Sequence, residues 1–247
     1  MKKLLVNLPA LTEEHRAALL KRVSFHSFDE LYAAIGYGGF TAQKAVSRMQ
    51  GEIMRVNKQH QQELERLYGV KVLAIPADIS AGADNAATAR AVVDAAMAEF
   101  GRIDVLINNA QASASGVSIA DHTTDQFNLA MFSGLYSAFY YMKACYPHLK
   151  KTQGSVINFG SGAGLFGNKG QASYAAAKEG IRGLSRVAAT EWGPDGINVN
   201  VVCPLAWTAQ LEGFKNAYPE AFEKNVHTPP MGYFGDPEKD IGRVCVQ

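Results

Sequence analysis

Short apolar segments alternate with helical segments from residue 70 to residue 202, and this alternation limits the possible folds more than any other feature. Strands are predicted over Val70 to Ile75, Ile103 to Ile107, Ser155 to Phe159 and Ile197 to Val202. Helices are predicted over Thr88 to Phe100, Thr124 to Leu149 and Tyr174 to Trp192. Because continuously apolar strands are typical of parallel sheets, the pattern predicts an α/β fold, a doubly wound parallel sheet with helices on both faces.

Polar and small residues follow three of these strands and begin the last helix. They are Asn108-Asn109-Ala110, Ser161, the pair Tyr174 and Lys178, and the pair Pro204 and Thr208. Residues four apart share one face of a helix, so Tyr174 and Lys178 are expected side by side. Because ligands bind beyond the carboxyl ends of parallel strands, all these residues are predicted to meet at one site.

The Tyr-x-x-x-Lys pattern alone is weak, since a solvated lysine beside a half-buried tyrosine has the same spacing. Ser161 lies thirteen residues before Tyr174, and the Asn-Asn-Ala and Pro-x-x-x-Thr turns accompany it. With these additions, residues from about 55 to 247 resemble the short-chain dehydrogenase/reductase family. The resemblance implies a Rossmann-like fold and an NAD(P)-dependent oxidoreductase that transfers a hydride between a nicotinamide cofactor and a secondary alcohol or ketone.

The resemblance also implies a catalytic trio of Ser161, Tyr174 and Lys178. A free tyrosine has a pKa of about 10, and a neighbouring ammonium favours its phenolate, so Tyr174 can exchange a proton with the substrate oxygen. Ser161 is expected to hydrogen-bond that oxygen. The residues expected to bind or support NAD or NADP are Asp78, Asn108, Ala110, Tyr174, Lys178, Pro204 and Thr208.

Three positions depart from the family pattern. Gln111 stands where glycine usually follows Asn-Asn-Ala, and Leu205 replaces the glycine of the usual Pro-Gly turn. Gly134 stands where the resemblance calls for an asparagine that extends the proton relay, so the relay is expected to run through water or to be absent.

Residues 1–54 lack the glycine-rich turn with which members of this family begin. That turn has the form TGxxxGxG, and its glycines let the backbone approach the cofactor pyrophosphate. Gly36-Tyr37-Gly38-Gly39 follows a helical pattern and has different spacing, so a helix–helix turn is expected there. We predict an atypical, mostly helical segment over 1–54 in place of the first βαβ unit, and a dehydrogenase-like domain over 55–247.

The amino-terminal segment has other resemblances. Residues 20–50 are similar to the helical connector of (p)ppGpp synthetase/hydrolase proteins, which carries no catalytic residues. Residues 1–20 are weakly similar to the start of D-2-hydroxyacid dehydrogenases. The family's last strand is expected after Gln247, which predicts a truncated carboxyl-terminal edge of the sheet.

These departures support an alternative from a different functional class. A catalytically impaired or inactive dehydrogenase-like protein, acting in binding or as a scaffold, would explain the missing cofactor loop and Gly134. The intact trio favours the enzyme.

Composition excludes some partners and predicts a location. The net charge is +1 without a long basic run, which argues against nucleic acid. No apolar run has transmembrane length, and neither a membrane nor a metal site is predicted. The cysteines Cys145, Cys203 and Cys245 suit the cytoplasm, and the first two are expected to be buried. The resemblance implies a homodimer or homotetramer that packs through the predicted helix Thr124 to Leu149. The alternative for its aromatic face is core packing, and part of that face is expected to be core: Tyr136, Phe139, Tyr140, Tyr141 and Tyr146.

Overall fold

The computed structural model describes residues 58–80 and 82–246. The predictions for residues 1–54, including the turn at Gly36 to Gly39, therefore lie outside the described residues.

A three-stranded parallel sheet forms the centre of the described chain. Its strands are β1 (Val105–Asn108), β2 (Ser155–Phe159) and β3 (Asn198–Val202), with β2 in the middle. Leu106 pairs with Val156, which pairs with Val199 in turn. The prediction for β2 is confirmed residue for residue, and the other two strands begin one or two residues later than predicted.

The strand predicted over Val70 to Ile75 does not form in the structure. The helix α1 spans residues 58–68, and the chain after it is irregular. The carbonyl oxygen of Val72 accepts a hydrogen bond from Gln61 Nε2 at 2.8 Å, and its amide donates to Glu65 Oε1 at 3.2 Å. The prediction was wrong because side chains of α1, rather than a neighbouring strand, bond to this backbone.

Helices precede and follow each strand. They are α2 (Asn85–Phe100), α3 (Thr124–Ala130), α4 (Ser137–Thr152), α5 (Gly162–Phe166), α6 (Ala172–Trp192), α7 (Ala209–Ala217), α8 (Pro219–Asn225) and α9 (Arg243–Val246). Short 3-10 turns span Gly82–Asp84 and Gly193–Asp195, and π-helical turns span Met131–Tyr136 and Pro237–Gly242. Among the described residues, no helix is long and apolar enough to cross a membrane.

The helix predicted over Thr124 to Leu149 is divided into three parts. A capping box between Thr123 and Gln126 starts α3, where each side chain accepts a hydrogen bond from the other residue's backbone amide. The π-helical turn Met131–Tyr136 then interrupts the α-helical pattern before α4 begins. A wider turn of this kind is often found at functional sites.

The apolar core lies on one face of the sheet. Val93 of α2, Met142 and Leu149 of α4, and Ala188 of α6 pack with Val156 of β2 in one cluster. Leu106 and Val199, the neighbours of Val156 in register, pack against the same cluster. The three helices therefore cover the same face.

The opposite face of β1 is open among the described residues. Val105 and Ile107 alternate with Leu106 along the strand and are 49% and 48% exposed. The described helices that contact the sheet therefore cover one of its two faces, whereas helices on both faces were predicted.

The chain from Leu205 to Gly235, which follows β3, forms an excursion from the sheet whose two ends are joined by hydrogen bonds. The amide of Trp207 donates to the carbonyl of Gly235 at 2.8 Å, and the amide of Gly235 donates to the carbonyl of Leu205 at 3.2 Å. Between these ends, the ring of Trp207 lies 6.0 Å from that of Phe222 and 5.6 Å from that of Phe234. The excursion therefore has an aromatic cluster of its own.

Candidate active site

The predicted trio lies at the carboxyl end of β2 and in the first turns of α6. Ser161 follows β2 by two residues and caps α5, where its Oγ accepts a hydrogen bond from the amide of Ala163 at 3.1 Å. Tyr174 and Lys178 are one turn apart on α6. The strand end and the helix start therefore hold the three residues on two elements that pack together.

Lys178 connects these two elements directly. Its side chain is buried, since the residue is only 4% exposed, and its Nζ donates a hydrogen bond to the carbonyl oxygen of Phe159 at 2.7 Å. The same Nζ lies 5.5 Å from the centroid of the Tyr174 ring. The lysine therefore ties α6 to the end of β2 and places a positive charge beside the tyrosine ring.

Burial changes the protonation of this lysine. Desolvation lowers the pKa of Lys178 from 10.5 to about 8, and the electrostatic influence of the nearby Cys203 opposes part of that shift. Burial has this effect because a low-dielectric environment disfavours the charged form. The ammonium therefore predominates at neutral pH, and the lysine can lose its proton in mildly alkaline solution.

A chain of buried polar groups supports the site from behind. Asn108 Nδ2 donates to Asn158 Oδ1 at 2.8 Å, Asn158 Nδ2 donates to Ser185 Oγ at 2.8 Å, and Ser185 Oγ donates to the carbonyl of Ile181 at 2.6 Å. Asn158 and Ser185 are buried. The chain links β1, β2 and α6, so it fixes the strand ends relative to the helix that carries Tyr174 and Lys178.

Sequence reasoning missed Asn158 and Ser185. An asparagine in the middle of an apolar strand was the available indication, because a buried amide in a sheet needs hydrogen-bond partners. Asn108 was predicted to support the cofactor pocket, and the structure shows its side-chain amide engaged with Asn158.

One carboxylate oxygen of Asp78 accepts hydrogen bonds, and the other has no hydrogen-bond partner among the described residues. Its Oδ1 accepts hydrogen bonds from the amide and the hydroxyl of Ser80, at 2.8 and 2.7 Å. Its Oδ2 is buried and has no partner among the described residues. A buried, unpartnered carboxylate oxygen is costly unless a ligand satisfies it, so Asp78 fits a residue that accepts a hydrogen bond from the amine of an adenine.

The remaining predicted cofactor residues lie at turns. Thr208 is exposed and caps α7, where its Oγ1 accepts from the amide of Leu211 at 3.2 Å. Pro204 is half-buried after β3, and Ala110 is exposed after β1. These turns lie at the same sheet edge as the trio, because all three strands are parallel.

A cavity of about 210 Å³ opens between β1, the π-helical turn and α6. Asn108, Ala110, Gln111, Gly134 and Lys178 are among its lining residues. The structure therefore brings Asn108, Ala110 and Lys178 to one cavity, as predicted, while Ser161, Tyr174, Pro204 and Thr208 lie outside its lining.

Two of the three departures from the family pattern are in contact with each other. A Cβ atom placed on Gly134 would lie 2.6 Å from Nε2 and 2.7 Å from Cδ of Gln111. The Gln111 side chain therefore occupies the space that a side chain at position 134 would need. Leu205, the third departure, is exposed and lies elsewhere.

The cysteines differ in exposure. Cys145 is buried in the core, and burial raises the pKa of its thiol to about 11. Cys203 is exposed, so the expectation that it is buried was wrong. Its Sγ lies close to Gly160, and a Cβ atom added to that glycine would lie 2.7 Å from the sulfur. Among the residues that the structure covers, no cluster of three metal-ligating side chains occurs.

The predicted aromatic face is divided between core and surface. Tyr141 and Tyr146 pack against the buried core, whereas Tyr136 and Phe139 are exposed. The ring of Tyr140 contacts both exposed rings, at centroid distances of 6.3 and 5.3 Å.

Comparisons with known families find two matches along the chain. The family described as Enoyl-(Acyl carrier protein) reductase matches residues 33–247, and the RelA/SpoT AH domain matches residues 4–50. The second match confirms the predicted resemblance of residues 20–50 to the connector of (p)ppGpp enzymes. The resemblance of residues 1–20 to D-2-hydroxyacid dehydrogenases stays a prediction.

Comparisons with individual proteins give the same family. A 12alpha-hydroxysteroid dehydrogenase from a Clostridium species is 69% identical over 186 residues, which are 75% of this chain and 72% of that protein. A trans-4-hydroxycyclohexanecarboxylate dehydrogenase from Sinomonas cyclohexanicum is 44% identical over 129 residues, 52% of this chain and 49% of that protein.

Solved structures confirm the Rossmann-like, doubly wound fold. A putative short-chain alcohol dehydrogenase from Sinorhizobium meliloti superimposes with a TM-score of 0.68 at 26% identity, covering 76% of this chain and 73% of that one. An NAD+-bound xylitol dehydrogenase superimposes with a TM-score of 0.66 at 23% identity, covering 78% of each chain. The chain, with its strand-end site around Tyr174 and Lys178, therefore belongs to the short-chain dehydrogenase/reductase family of oxidoreductases.

Proposed function

We propose that the chain transfers a hydride between NAD or NADP and a secondary alcohol or ketone, with Ser161, Tyr174 and Lys178 as its catalytic residues. The observation that carries this proposal is the buried ammonium of Lys178, which is anchored to Phe159 at the end of β2 and lies beside the Tyr174 ring. A buried charge is costly, and a purely structural site would be better filled by an apolar residue.

Tyr174 is the proton donor or acceptor for the substrate oxygen in this mechanism. The positive charge of Lys178 favours the negative charge that develops on the Tyr174 oxygen as its proton moves to or from the substrate. Ser161 Oγ accepts from the amide of Ala163, which leaves its hydroxyl hydrogen available to the substrate oxygen. The nicotinamide supplies or receives the hydride when it is bound.

The residues proposed to hold the cofactor surround the same sheet edge. Asp78 would accept a hydrogen bond from the adenine amine at its unpartnered Oδ2, and Lys178 would bind the ribose hydroxyls. Ala110, Pro204 and Thr208 would contact the cofactor from the turns after β1 and β3, whereas Asn108 supports the pocket through Asn158.

A large apolar alcohol suits the surroundings of the trio. Leu165 and Phe166 of α5 are exposed just after Ser161. Leu205, Met231 and Tyr233 of the excursion after β3 are exposed as well. Exposed apolar side chains commonly mark a binding site where they form one patch, and we propose that these side chains contact the substrate. Together with the 69% identical relative, it makes a 12α-hydroxysteroid the first substrate to assay.

Assembly and location are part of the proposal. The exposed rings of Tyr136 and Phe139, joined by Tyr140, are proposed to form a contact between subunits of a homodimer or homotetramer. Three free thiols support a cytoplasmic location, where thiols stay reduced. Residues 1–54 and 55–247 are proposed as separate segments.

The alternative is a dehydrogenase-like protein that binds but does not turn over. Gly134 favours it, because this glycine supplies no side chain for a proton relay. The two functions differ in turnover, so the decisive experiment has to measure cofactor binding and turnover separately.

The test combines nicotinamide fluorescence titration with oxidation of a 12α-hydroxysteroid, followed by NAD(P)H absorbance. We expect Tyr174→Phe to lower kcat by about 10²- to 10⁴-fold, the usual contribution of one general acid or base, with cofactor affinity unchanged. Tyr218→Phe, at an exposed tyrosine on the excursion, is the matched control. Failure to bind millimolar NADH or NADPH would exclude the enzyme, and binding without turnover of any secondary alcohol would support the alternative.

A further inference from the structure

His122 connects the end of the loop after β1 to the first turn of α6. Its Nε2 lies 2.9 Å from Oγ of Ser173, the residue directly before Tyr174 in that turn. Ser173 is completely buried, and its hydroxyl makes no other hydrogen bond among the described residues. Because a buried hydroxyl needs a partner, the His122 ring satisfies a polar group that lies next to Tyr174 in the chain.

The histidine ring is the donor in this hydrogen bond. Its Nδ1 is buried and has no partner among the described residues. A hydrogen on Nδ1 would be a buried donor without an acceptor, whereas an unprotonated Nδ1 leaves only a lone pair unused. The tautomer with its hydrogen on Nε2 is therefore favoured, and Nε2 donates to Ser173 Oγ.

The start of α3 holds the same ring from its other side. Thr123 is the N-cap of α3, so His122 precedes the cap and Phe127 is the fourth residue of the helix. The two rings meet edge to face, with their centroids 6.4 Å apart and their planes at 85°. A contact between these two positions is a hydrophobic staple, which fixes the direction in which the chain enters a helix. The orientation of His122 is thus set by α3 as well as by Ser173.

Backbone contacts join an earlier part of the same loop to the start of α6. The amide of Gly116 donates to the carbonyl of Gly170 at 2.9 Å, and Val117 forms a parallel β-bridge with Gln171. These two contacts lie at the beginning of the loop, and the His122 side chain makes the third contact at its end. The loop is therefore joined to the segment that begins α6 at two separated places.

We propose that His122 is a positioning residue that holds the first turn of α6, and with it Tyr174, at a fixed place relative to the loop after β1. This inference rests on the proposed function, because Tyr174 is the residue through which His122 acts. The ring exchanges no proton with substrate or cofactor in this role. A general acid or base has to lie within hydrogen-bond reach of the reacting oxygen, so a small displacement of its helical turn lowers the rate.

The competing explanation is that His122 only satisfies a buried hydroxyl, and two variants separate the explanations. His122→Phe keeps a ring against Phe127 but leaves the Ser173 hydroxyl unpaired, so we expect the melting temperature to fall by roughly 2–10 °C. The double variant with Ser173→Ala removes that hydroxyl as well. It should recover most of the melting temperature, because no buried polar group is then left without its partner.

The turnover number should not follow the melting temperature. With the 12α-hydroxysteroid assay, we expect kcat to fall about tenfold in His122→Phe and to stay low in the double variant, since both lack the connecting bond, with KM little changed. His60→Phe, at an exposed histidine on α1, is the matched control and should equal the wild-type chain in both measurements. Recovery of kcat together with melting temperature in the double variant would overturn the inference, and so would an unchanged kcat in His122→Phe.

A second test asks whether His122 acts through Tyr174. In a Tyr174→Phe background, His122→Phe should cause no further loss of the residual kcat, because no catalytic hydroxyl remains to be positioned. A further loss as large as the one in the wild-type background would mean that the histidine acts elsewhere, and it would overturn the inference.

A measurement on the cofactor-free chain keeps this inference distinct from the proposed function. The amide of Ala175 donates to the carbonyl of Gln171 at 2.7 Å, in the turn that His122 contacts. In the double variant of His122→Phe with Ser173→Ala, we expect the hydrogen exchange of this amide, followed by NMR, to become about tenfold faster. The amide of Ala188, later in α6, should keep its wild-type rate. Equal rates at Ala175 would overturn the inference, whereas faster exchange in a chain that oxidises no alcohol would support it and refute only the proposed function.

Discussion

Replacement of Lys178 by methionine should change how the free energy of unfolding depends on pH. The pKa of Lys178 falls from 10.5 to about 8 on folding, chiefly through burial. This difference corresponds to a penalty of about 3 kcal/mol for the charged lysine, at about 1.4 kcal/mol per pKa unit. The penalty is complete below pH 8, where the lysine is charged in both states, and it is absent above 10.5, where the lysine is neutral in both.

Between these two values the unfolded chain binds more protons than the folded chain. The free energy of unfolding therefore rises with pH in this window, by up to about 1.4 kcal/mol per pH unit from this one group. Lys178→Met removes the titration and also removes the hydrogen bond to Phe159, but that loss does not depend on pH. The wild-type chain should thus gain stability relative to the variant as the pH rises from 8 to 10.

Urea unfolding followed by circular dichroism at pH 7, 8, 9 and 10 measures this difference. Lys169→Met, at an exposed lysine, is the matched control and should follow the wild-type chain at every pH. A difference between wild type and Lys178→Met that stays constant from pH 7 to 10 would refute the reasoning, since it would mean that the lysine titrates alike in both states.

Further predictions concern two glycines, the buried polar chain and the thiols. Gly154→Ala should destabilise the fold by about 2 kcal/mol or more, because its Cβ would overlap the carbonyl oxygen of Asp104. Gly183→Ala, in open space on α6, should instead raise the free energy of unfolding by about 0.5–1 kcal/mol. Thermal melts check the pair, and equal melting temperatures would contradict it. Asn158→Ala should cost about 1–3 kcal/mol in urea unfolding, since Asn108 and Ser185 would each lose a hydrogen-bond partner. With a disulfide reagent at pH 8, Cys203→Ser should remove the fastest phase of thiol reaction, and survival of that phase would show that another thiol is more accessible.

The parts of the fold that local sequence determines were predicted well. β2 carries the apolar residues Val156, Ile157 and Phe159 and is followed by Ser161, and its bounds were predicted correctly. The run from Val70 to Ile75 is equally apolar, but a strand also requires a neighbour, and the backbone of Val72 instead bonds to Gln61 and Glu65. Strand propensity depends on such tertiary context, which the pattern does not contain.

The candidate site, like the fold, was predicted only in part. The sheet edge that gathers Ser161, Tyr174 and Lys178 follows from the order of strands and helices alone. The contact of Gln111 with Gly134 joins residues that are distant in sequence, so each departure was visible separately but their relation was not. Cys203 was expected to be buried because it follows an apolar strand, yet the turn after β3 exposes it.

The hydrogen bonds that close the excursion after β3 make it a replaceable module. Because Trp207 and Gly235 are joined at its base, the chain comes back at Gly235 to nearly the point from which it departs at Trp207. Residues 209–234 can then be exchanged for those of a relative with another preference among alcohols, which leaves Thr208, Tyr174 and Lys178 in place. On the proposed function, grafting this one segment would change the surface offered to the alcohol while Ser161, Tyr174 and Lys178 stay in place.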